Sequence, residues 1–133
     1  MSVETALQTA IYARLDAALS VDVYSEGSVP DGLVARYVVI GADTLLPWST
    51  DGRVGFEATI TIHTWDTTSD NRSMLATKNI MGQIHNSLNR ASFVITGYNL
   101  IGIDYEFGET LIDPDGLTRH GVQRFRALLR VTS

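Results

Sequence analysis

Apolar and polar positions alternate along two stretches in the last third of the chain. Phe125, Ala127, Leu129 and Val131 interleave with Arg124, Arg126, Leu128 and Arg130, and upstream Ile101, Ile103, Tyr105 and Phe107 interleave with Leu100, Gly102, Asp104, Glu106 and Gly108. Period two with one apolar face predicts two half-buried antiparallel strands, between Leu100 and Val131. They fold back at Asp113-Pro114-Asp115-Gly116, where Pro114 and Gly116 set a turn. Placing both apolar sets on one face predicts Tyr105 opposite Phe125, Ile103 opposite Ala127 and Ile101 opposite Leu129. The same register puts Glu106 by Arg124 and Asp104 by Arg126 on the other face, opposite charges across the ladder. This pairing requires an odd loop or a bulge, with Gly108, Gly116 and Gly121 as candidate sites.

Ser2-Val3-Glu4-Thr5 opens a helix, with a hydroxyl cap followed by a first-turn carboxylate. Leu7, Ile11 and Leu15 then recur every fourth residue beside Ala6, Ala10 and Ala18, predicting an amphipathic helix that ends near Leu19-Ser20. Val21 to Tyr24 switches to alternation, and residues 25–32 are a loop by composition. Tyr37-Val38-Val39-Ile40 is apolar throughout, which predicts a strand covered on both faces by helices or another subunit. Residues 42–53 read as a loop containing Leu45, Leu46, Pro47 and Trp48. Four apolar residues in a loop mean either a lid folded back over the sheet edge or a patch facing a partner. Val54 to Trp65 is a long strand with Phe56, Ala58, Ile60 and Ile62 on one face and Glu57, Thr59, Thr61 and His63 on the other. Ser69 or Asp70 can cap a second helix running to about Asn89, with Ile80, Ile84 and Leu88 as its stripe, and Phe93-Val94-Ile95 reads as a short strand. Two helices most economically cover the single apolar sheet face. The expected fold class is α+β: one two-layer domain, residues 1–133, with a mainly antiparallel sheet, two helices on one face and a long C-terminal hairpin.

Composition narrows the function classes. With 133 residues the chain can bury a core; 44% hydrophobic and 19% charged residues are ordinary for a soluble globular protein. A net charge of −5 argues against a nucleic-acid binder. The absence of cysteine excludes disulfides, thiolate catalysis and zinc–thiolate sites. Neither a signal peptide nor an apolar run of about 18 residues is found, so a cytoplasm-like setting is expected.

No constellation for catalysis emerges. His63, His85 and His120 lie on different elements without metal-ligand spacing, and His63 with Asp66 is a weak pairing. Nucleophile elbows and phosphate-binding glycine loops are missing. Asp113-x-Asp115-Gly116 departs from a calcium loop at Leu117 and Arg124, where acceptors are required. Asp104 and Glu106 sit beside predicted arginines, which suits ion pairing more than acid catalysis. The expectation is a non-enzyme without metal or cofactor. Arg119, Arg124, Arg126 and Arg130 form the one basic concentration, and arginine's fork suits carboxylates within the hairpin or across a subunit boundary. Leu45, Leu46, Trp48, Asp104, Glu106, Arg119, Arg124, Arg126 and Arg130 are therefore the candidate subunit or partner contacts.

The run from Asp113 through Leu117-Thr118-Arg119-His120-Gly121-Val122-Gln123-Arg124-Phe125-Arg126 to Ala127 resembles the C-terminal signature of small tail-completion, or tail-terminator, proteins. These occur in long-tailed bacteriophages and phage-like gene transfer particles. Tyr37 to Gly41, His63-Thr64-Trp65-Asp66 and the helix from Val3 to Leu19 follow in the same order, so the resemblance spans nearly the whole chain. It brings no catalytic residue with it. It implies a structural virion protein, forming a homo-oligomeric, typically hexameric, ring on the head-proximal end of the tail tube. There it would stop tube polymerisation and meet the head-completion (stopper) protein, after assembly in the host cytoplasm. DNA would pass through the lumen without sequence-specific binding, and a carboxylate-lined wall would let it slide by like-charge repulsion. A different head–tail connector, stopper or adaptor, and a small-ligand module are the rival readings.

Overall fold

The computed structural model describes residues 2–49, 51–68 and 73–132, and gives no side-chain environment for Ala42. The element order is α1 (Val3–Ala18), β1 (Asp22–Ser25), β2 (Arg36–Pro47), β3 (Gly55–Asp66), α2 (Leu75–Leu88), β4 (Tyr98–Ile112) and β5 (Arg119–Val131). The strands form one sheet in the order β1-β2-β3-β5-β4, antiparallel except for the parallel β1–β2 pair. Ser2 caps α1 as the sequence predicts, its Oγ accepting the Thr5 N–H at 3.2 Å. Ser69 and Asp70, the predicted caps of α2, lie outside the described residues.

Both helices pack on one sheet face. Leu7, Ile11 and Leu15 of α1 and Ile80, Ile84 and Leu88 of α2 meet Val38, Ile40, Ala58, Ile60, Ile62, Ile103, Phe125, Ala127 and Leu129 in one core. Arg14 Nε donates to the Ser87 carbonyl at 2.6 Å and ties the helices together. Gln123 Nε2 donates to the Met81 carbonyl at 2.9 Å and fastens α2 to β5. At the turn end of the sheet, buried Asp66 accepts from Arg36 Nε at 3.0 Å and from the Thr68 N–H and hydroxyl at 3.0 and 2.6 Å. Burial alone would raise the Asp66 pKa, but these hydrogen bonds stabilise the charged form and hold it below the usual carboxylate value.

The structure differs from the sequence reading at three places. β2 continues to Pro47, pairing Leu45 with Ala58 and Leu46 with Glu57, so the first half of the expected loop is strand. A register shift between Ile40 and Asp43 disguises this alternation. Residues 93–95 form no strand; only an isolated Ile95–Tyr98 bridge exists, and Val94 is 90% exposed.

The C-terminal hairpin keeps the predicted Tyr105–Phe125, Ile103–Ala127 and Asp104–Arg126 pairs. Its bulges fall between Leu100 and Gly102 and between Tyr105 and Phe107, not at Gly108, Gly116 or Gly121. Leu100 therefore replaces Ile101 opposite Leu129, and Phe107 replaces Glu106 opposite Arg124. The turn is built by Asp115, whose Oδ1 accepts the Leu117 and Thr118 N–H groups at 2.8 Å each. These bonds hold its pKa below the usual carboxylate value.

Candidate interaction surface

No described helix covers the second face of the sheet, which carries two chemically distinct zones. Nearer the β2–β3 connection is an arginine ladder on β5. Arg126 Nη1 donates to Glu57 Oε1 on β3 at 3.0 Å. Arg124 lies over the Phe107 ring, 4.8 Å from its centroid, with Glu106 Oε1 3.9 Å from its Nε. Arg130 lies over the Trp48 ring at 5.3 Å. The Arg126–Glu57 and Arg124–Glu106 pairs are solvated, so each contributes under about 1 kcal/mol to the fold of the single chain.

Nearer the hairpin turn, the same face carries an aromatic–imidazole stack. Trp65 and His120 are opposite each other on β3 and β5, with ring centroids 3.7 Å apart and planes within 8°. His63 Nδ1 lies 2.9 Å from His120 Nε2. Gly41 leaves room for this arrangement, since a Cβ there would stand 2.8 Å from His63 Nε2. Tyr24 and Tyr37 meet edge to face at 5.8 Å on the neighbouring strands. Val39, between Tyr24 and His63 in the ladder, is only 7% exposed. At Val39, β2 is thus covered on both faces, but by side chains of its own sheet on this one. Burial lowers the pKa of both histidines; proximity to His63 lowers that of His120 further, opposed by Asp113, while Glu26 opposes the shift of His63. Proximity in sequence gave no hint of the His63–His120 contact, which depends on the β3–β5 register. The available signal was that His63 and Trp65 share one face of a strand.

The nine predicted contact residues scatter over this architecture. Leu46, Arg124, Arg126 and Arg130 lie on the helix-free face; Asp104 does too, with Oδ1 3.7 Å from Arg90 Nε. Glu106 occupies the bulge beside them. Trp48 follows β2, its N–H donating to the Gly55 carbonyl at 2.8 Å. Leu45 points to the core side and packs against it. Arg119 is 3% exposed and lies opposite Asp66, with Nη1 donating to the Gly116 carbonyl at 3.2 Å. His63 and Asp66 fall on opposite sheet faces. Among the described residues no three His, Asp or Glu side chains gather as metal ligands.

The sequence profile of the family described as tail completion protein gp17 matches residues 9–130. The chain belongs to this family. It is a family of structural tail-completion proteins rather than enzymes. The tail completion protein gp17 of Bacillus phage SPP1 is 24% identical over 90 residues, a match covering 68% of this chain and 64% of that protein's length, under two thirds of it. Among solved structures, a chain in the virion of a native gene transfer agent particle superposes with a TM-score of 0.83 at 21% identity, covering 97% of this chain and 98% of that one. A second solved chain superposes with a TM-score of 0.60 at 10% identity, over 98% and 94% of the two chains. At these identities both likenesses concern the fold. By its family, the chain is a structural tail protein.

Proposed function

We propose that this protein terminates the tail: several copies close into a ring, typically a hexamer, on the head-proximal end of the tail tube. The ring stops tube polymerisation and presents a surface to the head-completion protein, and DNA passes through its lumen. The observation that carries this reading is the helix-free sheet face with its arginine ladder, on a chain whose family match runs from residue 9 to 130. A sheet face rich in arginine, carboxylate and aromatic groups suits a wet subunit contact, where arginine and aromatic side chains are enriched. In this reading Leu46, Trp48, Asp104, Glu106, Arg124, Arg126 and Arg130 contribute to subunit or tube contacts, whereas Leu45 and Arg119 brace the chain that presents them. The carboxylate surplus of the chain, net −5, lines the lumen and lets DNA slide.

Light scattering with negative-stain imaging tests the proposal, on the purified protein alone and mixed with its tail-tube protein. Rings or capped, length-limited tubes are the expected result, with Trp48→Ala weakening them. A monomer that ignores the tube overturns the proposal and favours a head-side stopper or adaptor. A ring whose inner wall is predominantly basic refutes the lumen assignment.

A further inference from the structure

The two edges of the sheet are not equivalent. An unpaired edge strand is a template for another chain, and proteins blunt edges they do not use. β4, at one edge, is blunted: it is bulged twice, the Arg90 N–H donates to the Ile103 carbonyl at 2.7 Å, and Asn89 Oδ1 accepts the Tyr105 N–H at 2.9 Å. β1, at the other edge, has no bulge and no described cover. The Glu26 N–H donates inward to the Ile40 carbonyl at 3.1 Å, so strand alternation turns the Val23 N–H and C=O and the Ser25 N–H toward the open side.

Beside that open edge runs a groove of about 800 Å³ between α1 and β1. Glu4 and Asp16 stand on its helix wall and Asp22 and Asp43 on its sheet wall; no lysine or arginine lines it. None of the four carboxylates has a lysine or arginine partner among the described residues. Burial and the nearby Glu4 hold the Asp43 pKa above the usual carboxylate value, as for a carboxylate lacking a cation.

We propose that the α1–β1 groove receives an extended, positively charged segment of a partner protein, which adds to β1 as a sixth strand. Backbone hydrogen bonds to Val23 and Ser25 fix its register, and alternate lysine or arginine side chains reach the carboxylates on the two walls. A second copy of this chain is a poor occupant. Four of its ten basic residues, Arg119, Arg124, Arg126 and Arg130, belong to β5, an inner strand already paired on both sides. The occupant is a different protein. The proposal is independent of how the ring forms.

The test uses the full chain and a fluorescein-labelled nonapeptide alternating lysine or arginine with valine, with glutamate replacing every basic residue in the control peptide. Anisotropy follows binding, and amide hydrogen exchange followed by NMR locates it. The basic peptide is expected to bind less tightly as salt rises and to slow exchange at Val23 and Ser25. Asp16→Lys with Asp22→Lys, both at exposed positions, weakens it about tenfold and transfers binding to the glutamate peptide. Glu109→Lys, on β4 at the far edge, leaves binding unchanged. Three results overturn the proposal: no slowing of exchange along β1, equal binding of both peptides, or an equal loss in Glu109→Lys, which would reduce the effect to net charge.

Discussion

His63 Nδ1 and His120 Nε2 stand 2.9 Å apart, on strands whose sequence positions differ by 57, and they share one proton's worth of hydrogen bond. One ring donates and the other must accept, so the contact requires at least one neutral imidazole. Charging both would set two cations against each other beneath Trp65.

That geometry fixes the sign of a pH effect. Both folded-state pKa values lie below the ordinary histidine value, by burial first and by mutual repulsion for His120. The unfolded chain therefore binds more protons, and the pair's contribution is fully present above about pH 6.5 and lost as pH falls through the depressed folded values. Urea midpoints measured from pH 8 to 5 should fall, and His120→Gln should flatten that fall. Asp43, whose pKa is raised, acts in the opposite direction in both proteins and cancels in the difference. An identical slope in His120→Gln refutes the assignment.

Two close approaches should respond differently to one added methyl group. At Gly55 a Cβ collides with the Trp48 carbonyl oxygen and comes within 2.9 Å of the Leu129 carbonyl oxygen, both backbone atoms of a paired sheet. At Gly121 it meets the flexible Met81 side chain instead. Gly55→Ala is expected to cost about 3 kcal/mol and Gly121→Ala about 1 kcal/mol. Met81→Ala should relieve the second clash and not the first, as read by chemical denaturation.

Asp66 is a buried carboxylate whose partners come from β2 and the segment after β3. Asp66→Ala leaves the Thr68 N–H and the Arg36 guanidinium without this acceptor and should destabilise the chain by about 2 kcal/mol. Because its pKa is depressed, the wild-type contribution is present above about pH 3.8 and fades as pH falls through the folded value. Wild type and variant should therefore converge in stability in strong acid.

Phe125 is the largest fully buried side chain of the core. Phe125→Ala should cost about 4 kcal/mol and lower the melting temperature by at least 10 °C in a domain of this size. Arg126→Ala, which removes only a solvated pair with Glu57, should change single-chain stability by less than about 1 kcal/mol. If the ladder forms subunit contacts, the same Arg126→Ala variant shifts light scattering toward monomer without lowering the melt.

Local chemistry decided what the sequence by itself determined. The Ser2 cap, the stripe of Leu7, Ile11 and Leu15, and the alternation of β3 and β5 are readable because capping and periodicity depend on neighbours a few residues away. The same periodicity established the two-layer class, and the hairpin run carried the family. Tertiary structure decided what depends on register between distant strands. Bulges next to Ile101 and Glu106 moved the hairpin pairs by one residue, which alternation alone does not encode. The shift after Ile40 concealed that Leu45 and Leu46 belong to a strand. The His63–His120 contact exists only because β3 and β5 lie side by side in one register. The acidic groove exists only because β1 runs parallel to β2 and leaves its other edge open beside α1. Pairing across long separations is set by the whole core at once, and no local stretch of sequence contains that information.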